Sequence, residues 1–256
     1  MSDMFLAGKT ALVTGASRGL GRAVAQMLAA QGALVAINYA NNDEAARETL
    51  AAIESDGGSA FLLKGEQGSY TAAKELADKL IEELHTRTGH SALDILVNNA
   101  GGGPHLSIAD TTPELYDKIL ADNLSGPWHI TRLLMPHMRS GGRVIFTSSL
   151  GARTALTDYA VYSFSKAAVE KLTVIMAKEL GPRNITVNCV APGLIESDAN
   201  AHVRADEQVK TYLEQTTPLR RLGVPQDLAG AVLALVSDQM SYVTGQIIEV
   251  SGGMSL

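Results

Sequence analysis

The sequence predicts a doubly wound α/β fold: one parallel sheet of about seven strands with helices on both faces. Three observations carry this. Short apolar runs alternate with helical segments from one end of the 256-residue chain to the other. The runs are near-continuously apolar, as strands buried on both faces of a parallel sheet are. Parallel neighbours also need crossover connections, which the intervening helices supply, and such crossovers are almost always right-handed.

In order, the strand-like runs are Ala11–Thr14, Leu34–Ile37, Ala60–Leu63, Leu93–Val97, Arg143–Thr147, Thr186–Val190 and Ile247–Val250. Between them the apolar spacing follows the helical period over Leu20–Gln31, Asp43–Ser55, Thr71–Arg87, Pro113–Met138, Tyr159–Leu180 and Gln226–Ser237. No linker, repeat or low-complexity tract divides the chain, so residues 1–256 read as one domain. Pro192–Pro218 is its one long irregular excursion, with a short helix expected around Val203–Gln215.

Composition narrows the class. With 46% hydrophobic and 19% charged residues, the chain can bury a sizeable core, and general disorder is excluded. Lys and Arg number 21 against 27 Asp and Glu, a net charge of −6. The basic residues form no block, which argues against nucleic acid as a partner, because neutralising phosphates needs clustered Lys and Arg. One cysteine, Cys189, cannot form an intramolecular disulfide, and its apolar surroundings make it a core residue. The opening MSDMFLAGKT lacks the basic region and apolar run of a signal peptide. No stretch reaches the ~18 apolar residues of a membrane span. The expectation is a cytoplasmic protein with no membrane partner.

The first strand runs into Thr14-Gly15-Ala16-Ser17-Arg18-Gly19-Leu20-Gly21, and a helix begins there. Glycines permit a tight turn and close approach of a pyrophosphate, and the helix amino end supplies free N–H groups and partial positive charge. A ligand-free glycine turn is the plain alternative, but its place between first strand and long helix favours a dinucleotide. After the second strand comes Asn38-Tyr39-Ala40-Asn41-Asn42, with no carboxylate before Asp43. An acid there would hold ribose hydroxyls and repel a 2′-phosphate. Its absence, with Arg18 available to pair that phosphate, favours NADP(H) over NAD(H). Arg18 otherwise reads as a solvated loop cation.

Tyr162 and Lys166 lie four residues apart on a predicted helix and share a face. A nearby ammonium favours phenolate, giving an acid/base group usable near neutral pH. Taken alone, this pair is also an ordinary surface arrangement. Ser149 follows the fifth strand, and Asn98-Asn99-Ala100-Gly101 closes the fourth, both at the carboxyl edge where α/β sheets bind ligands.

Together Thr14–Gly21, Asn98–Gly101, Ser149, Tyr162-x-x-x-Lys166 and Pro192-Gly193 resemble the short-chain dehydrogenase/reductase family, over nearly the whole chain. Asp122-Asn123-Leu124, Arg221-Leu222-Gly223 and the blocks Val243–Gln246 and Val250–Gly253 add to the resemblance. It implies a Rossmann-type fold and a nicotinamide cofactor without metal. Tyr162 would exchange a proton with the substrate oxygen, and Lys166 would lower the tyrosine pKa and bond the nicotinamide ribose. Ser149 would bond the substrate oxygen, and Asn123 would hold a water linking Lys166 to solvent. Asn99, Ala100 and Gly101 would line the cofactor, with Pro192, Gly193 and Ile195 around the nicotinamide. The third strand ends Lys64-Gly65-Glu66-Gln67-Gly68, where the family has an Asp-Val pair near the adenine; Glu66 and Gln67 are the substitutes.

Tyr159 stands seven residues before Lys166, the spacing of the family's enoyl reductases. Ser149, thirteen before Tyr162, has the carbonyl-reductase arrangement and makes Tyr159 a residue that begins the helix or packs in the core. Trp128 and Phe146 read as packing residues, Glu82-Glu83 as a solvated face, and His105 as a substrate contact or surface loop residue. The leading expectation is a reductase of small-molecule carbonyls, similar to 3-oxoacyl-carrier-protein reductases. An enoyl reductase using Tyr159 and an idle dinucleotide-binding regulator are the alternatives. The resemblance further implies a homotetramer. Supporting it are apolar positions beyond a single stripe, at Leu133, Leu134, Met135, Leu172, Val174 and Met176, and the apolar tail Gly252–Leu256.

Overall fold

The computed structural model describes residues 4–197 and 205–254. Seven strands form one parallel sheet: β1 Thr10–Val13, β2 Leu34–Tyr39, β3 Ser59–Lys64, β4 Leu93–Asn98, β5 Met138–Thr147, β6 Thr186–Pro192 and β7 Ile247–Val250. Their order is β3-β2-β1-β4-β5-β6-β7, so the winding direction reverses between β1 and β4. Loops leave that point in opposite directions and open a crevice at the carboxyl edge.

Helices α1 (Gly19–Ala30), α2 (Asp43–Ser55), α3 (Tyr70–Thr88), α4 (Pro113–Leu120), α5 (Gly126–Leu134), α6 (Ala160–Leu180), α7 (Glu207–Thr216) and α8 (Pro225–Val236) complete the frame. Strand side chains alternate between the two faces. Val13, Val35, Ile37, Val97 and Ile145 pack with Val24 and Leu28 of α1 and Val232 of α8. Leu12, Leu96, Val144 and Phe146 pack on the opposite side with Leu80 of α3, Ile130 of α5 and Leu172 of α6. Each fully buried aliphatic side chain contributes about 1.5–3 kcal/mol relative to exposure, and both layers hold the strand ends at fixed heights. Cys189 and Phe146 are buried in the second layer, as read from sequence.

Where a single helix Pro113–Met138 is expected, the chain makes two helices separated by a π-helical turn, Ala121–Ser125. Pro127 has no N–H to give the carbonyl four residues earlier, that of Asn123, so α pitch fails at this place. Gly126 N–H bonds instead to Ala121 O. The α-helix stops at Leu134, a 3-10 turn Met135–His137 follows, and Met138 opens β5, which is longer than the run Arg143–Thr147. The helix expected around Val203–Gln215 is seen as α7, Glu207–Thr216, and residues 203–204 lie outside the described residues.

Candidate active site

The turn after β1 is interlocked backbone. Gly15 (φ +63°) sits against Ala100, where a β-carbon would come 2.9 Å from Ala100 Cα, and a β-carbon on Gly21 would lie 2.6 Å from Asn99 Nδ2. Asn99 Nδ2 donates to Thr14 O at 3.0 Å, while Thr14 Oγ1 accepts from Asn99 N and Ala100 N, each at 3.0 Å. Gly19 differs: at φ +56° its β-carbon would meet nothing within 4 Å. No side chain caps the first turn of α1, which follows exposed Arg18. Uncapped N–H groups beside open space make a cradle for an anion, so the residues fit the pyrophosphate of a dinucleotide. Ser17 is buried, and its carbonyl accepts from the Arg22 guanidinium and from Thr49 Oγ1 at 2.8 Å. Arg22 also carries the turn, yet the sequence does not single it out, because its further partners come from α2. Thr14, read as part of the glycine motif, bonds the end of β4 and the loop after it.

The ends of β2 and β3 hold the other candidates. Asn38 is buried and satisfied within the protein: its Oδ1 accepts from Gly15 N at 3.3 Å, and its Nδ2 donates to Leu63 O and Gly65 O. It fastens the glycine turn to β3 from behind. Tyr39 is also buried and donates to Asp43 Oδ1 at 2.9 Å. Asp43 pairs with Lys64 at 2.8 Å, and the Lys64 and Tyr39 hydrogen bonds hold its carboxyl below the ordinary range. Ala40 and Glu66 are exposed. Gln67 is buried beneath the start of α5, beside Gly126, and neither of its amide atoms has a hydrogen-bond partner.

Across the crevice lie the ionisable groups. Lys166 is 3% exposed, and its Nζ donates to Thr147 O at 2.9 Å. Burial pushes its ammonium down to about 8. Tyr162 has its ring 5.5 Å from Lys166 Nζ, and Ser149 is the neighbouring hydroxyl that acts on its phenol. Burial pushes the phenol up to about 12, and only Ser149 acts in the opposite direction. The expected lowering of the tyrosine by Lys166 is absent: burial raises the phenol, and the lysine's hydrogen bond goes to Thr147.

Asn123 is fully buried on the π-helical turn. Its Oδ1 accepts from Gly102 N at 2.9 Å, and its Nδ2 donates to Gly102 O at 2.7 Å and Ile119 O at 2.9 Å. Gly101, at φ +149°, passes so close that its β-carbon would stand 2.5 Å from Asn123 Oδ1 and 3.3 Å from Lys166 Nζ. The Asn123 amide thus pins the loop after β4 against the lysine. Gly193, after Pro192, donates to Val250 O at 3.0 Å and abuts Ser251, and Ile195 bridges to Gly223. Tyr159 stands at the N-cap of α6 and donates its hydroxyl to Gly103 O at 3.0 Å. Trp128, read as a packing residue, is instead 44% exposed. Among the described residues no helix is long and apolar enough to cross a membrane, and no three His, Cys, Asp or Glu group as a metal site.

A buried lysine, a tyrosine meeting a serine and a glycine cradle at one crevice define a dinucleotide-binding oxidoreductase. The chain belongs to the short-chain dehydrogenase/reductase family. A family model described as enoyl-(acyl carrier protein) reductase matches residues 15–255. Versicolorin reductase 1 of Aspergillus parasiticus is 39% identical, covering 99% of each chain. Tetrahydroxynaphthalene reductase of Pyricularia oryzae is 37% identical over 97% of this chain and 90% of its own. The crystal structure of the angucycline C-6 ketoreductase LanV with bound NADP superposes with a TM-score of 0.91 at 41% identity, covering 98% of this chain and 96% of that one.

Proposed function

We propose that the protein is an NADP(H)-dependent reductase of ketones, reversible as a secondary-alcohol dehydrogenase. The observation that carries this reading is Tyr162 placed between Ser149 and buried Lys166, its ring 5.5 Å from the ammonium nitrogen. In reduction, Tyr162 Oη gives its proton to the substrate oxygen, and Ser149 Oγ holds that oxygen in line. Lys166 keeps positive charge next to the phenolate that results, and Asn123 holds the Gly101–Gly102 loop against it. A bound nicotinamide supplies or accepts the hydride. Gly15, Ser17, Gly19, Leu20 and Gly21 would receive the pyrophosphate, with Asn99, Ala100, Gly101, Pro192, Gly193 and Ile195 around the nicotinamide half. Glu66 and Gln67 would lie at the adenine.

The preference for NADP(H) rests on the carboxylate-free β2 end, on exposed Arg18, and on the neutralisation of Asp43 by Lys64. Tetrahydroxynaphthalene and angucycline, named in the relatives, make fused aromatic ketones the first substrates to try. Assay of a ketone panel with NADPH and NADH tests the reading; no turnover of any ketone would overturn it. An enoyl reductase acting through Tyr159 is favoured by the description of the matched family model. Against it, the Tyr159 hydroxyl is committed to Gly103 O. Acetoacetyl and crotonyl thioesters assayed side by side separate the two, and reduction of crotonyl alone would favour Tyr159.

The reading extends to a cytoplasmic, single-domain protein over residues 1–256, with its excursion at 192–218, assembled as a homotetramer. Of the residues expected to face a neighbour, Leu134, Leu172 and Met176 are buried in the core, while Val174 is exposed. Better support comes from exposed Trp128, Phe164 and Ile175 on α5 and α6. Trp128 and Ile175 line one groove with Leu124 and Leu172, and exposed apolar surface of this kind supports a neighbour there. The last two residues of the apolar tail lie outside the described residues. Light scattering that gave the mass of one chain would refute the tetramer.

A further inference from the structure

Three rings form a column running outward from Tyr162. His105 lies face to face on Tyr159, with centroids 4.3 Å and planes 2° apart. Tyr159 stacks in turn on Tyr162 at 4.4 Å and 29°. Two rings this close and this nearly parallel cannot share one face of Tyr159, so both of its faces are occupied. The outer end is tied down as well. His105 Nδ1 lies 3.1 Å from Asp158 Oδ2, and Leu106 N donates to Asp158 O at 2.7 Å. With the Tyr159 hydroxyl on Gly103 O, the loop after β4 and the start of α6 are joined at three places around one ring.

Such a column has a mechanical effect on chemistry. A tyrosine hydroxyl sits at the far end of a long lever, so a small rotation about its side-chain bonds displaces the oxygen substantially. Misplacing a reacting group by about 1 Å can lower a rate by about 10²-fold. Sites hold their geometry when neighbours lock the reacting side chain's rotamer, and stacked aromatic pairs do this with defined orientation. Ser149 is the polar neighbour of the Tyr162 hydroxyl. The ring needs a support of its own, and the face of Tyr159 supplies one.

We propose that Tyr159 and His105 are positioning residues for Tyr162. Tyr159 fixes the plane of the catalytic ring so that its hydroxyl stays on Ser149, and His105, clamped by Asp158, keeps Tyr159 from rotating away. The inference rests on the reading of Tyr162 as proton donor. It assigns Tyr159 a role through its ring face, whereas an enoyl reductase would use its hydroxyl.

Three variants test it, assayed on a ketone that the wild type reduces, with kcat, KM, NADPH Kd by fluorescence and Tm measured for each. Tyr159→Leu should lower kcat about tenfold or more, with KM and NADPH Kd within about twofold of wild type. Tyr159→Phe keeps the stack without the hydroxyl and should restore kcat to within about twofold. His105→Ala, at an exposed position, should lower kcat about threefold with Tm nearly unchanged. Wild-type kcat in Tyr159→Leu would overturn the proposal, as would a Tyr159→Phe variant as impaired as the leucine one. Should Tyr159→Leu fail to fold, His105→Ala decides alone, and unchanged kcat there refutes it. A wild type that reduces no ketone removes the functional reading and this proposal together. An active wild type with an active Tyr159→Leu removes the proposal only.

Discussion

The two walls of the crevice are made of different material. On the β1 and β4 side, the cradle is backbone, glycine and short hydrogen-bonding side chains such as Thr14 and Asn99, fitted within about 3 Å of one another. On the β5 and α6 side, it is ionisable groups, Lys166 and Tyr162, whose burial opposes their charged forms. The contrast follows from the task of each wall. Fixed backbone dipoles receive a permanently charged ligand without changing state, whereas proton transfer requires a group whose charge can change. Damage to the first wall should therefore appear in stability and affinity, and damage to the second in turnover.

The largest effect expected is on the second wall. Tyr162→Phe keeps the ring in its column but removes the proton donor, and should cost at least ~10² in kcat with NADPH affinity little changed. Near wild-type turnover would erase the distinction between the walls. Gly21→Ala attacks the first wall. Its β-carbon overlaps Asn99 and the turn itself, so thermal unfolding should show a loss of about 1–3 kcal/mol. Gly19→Ala bears only the left-handed backbone cost of about 1–2 kcal/mol, since its β-carbon points into open space. It should therefore weaken NADPH binding more than it lowers Tm. Equal NADPH affinities in the two glycine variants, once corrected for unfolded protein, would sink the idea of a cradle at Gly19.

A pH profile sharpens the second wall further. Lys166 is charged below about 8 and neutral above it, while Tyr162 keeps its proton to about 12. Ketone reduction should accordingly be level below about pH 8 and decline above it, approaching about tenfold per unit, as the ammonium is lost. A profile flat to pH 10 would show that the ammonium is not needed. The smallest change is at the rim of the first wall. Arg18→Ala should raise the NADPH KM by about three- to fivefold and leave the NADH KM alone. Tyr39→Asp is a poor probe of this site, because Tyr39 is buried against Asp43. Ala40→Asp puts the same charge at an exposed position and should shift selectivity toward NADH. Equal KM shifts for both cofactors would remove Arg18 as the discriminator.

The first wall was legible because glycine is nearly the sole residue for a left-handed turn under close contact, so its spacing survives as a pattern. Tyr162 and Lys166 were legible because helical periodicity places them together. The His105–Tyr159–Tyr162 column was not, since its outer ring arrives from a separate loop and no local spacing reports a stack between distant segments. The split of Pro113–Met138 had its signal in Pro127, overridden by an apolar periodicity that continues on both sides of it. Trp128 was misread for a related reason: residue type alone does not say which face of a helix meets the sheet.

The π-helical turn at Ala121–Ser125 also makes this stretch asymmetric toward changes in length. It stores one residue more than α pitch requires. Removing a residue there would leave Pro127 in place and shorten the turn, a change that looks harmless from α4 or α5 alone. Each residue of an α-helix advances the chain by about 100°, so the deletion would turn α4 by that angle against α5 and carry Asn123 off the Gly102 amide. Substitutions that conserve the fold can accumulate along both helices, but the number of residues between Pro113 and Pro127 cannot drift.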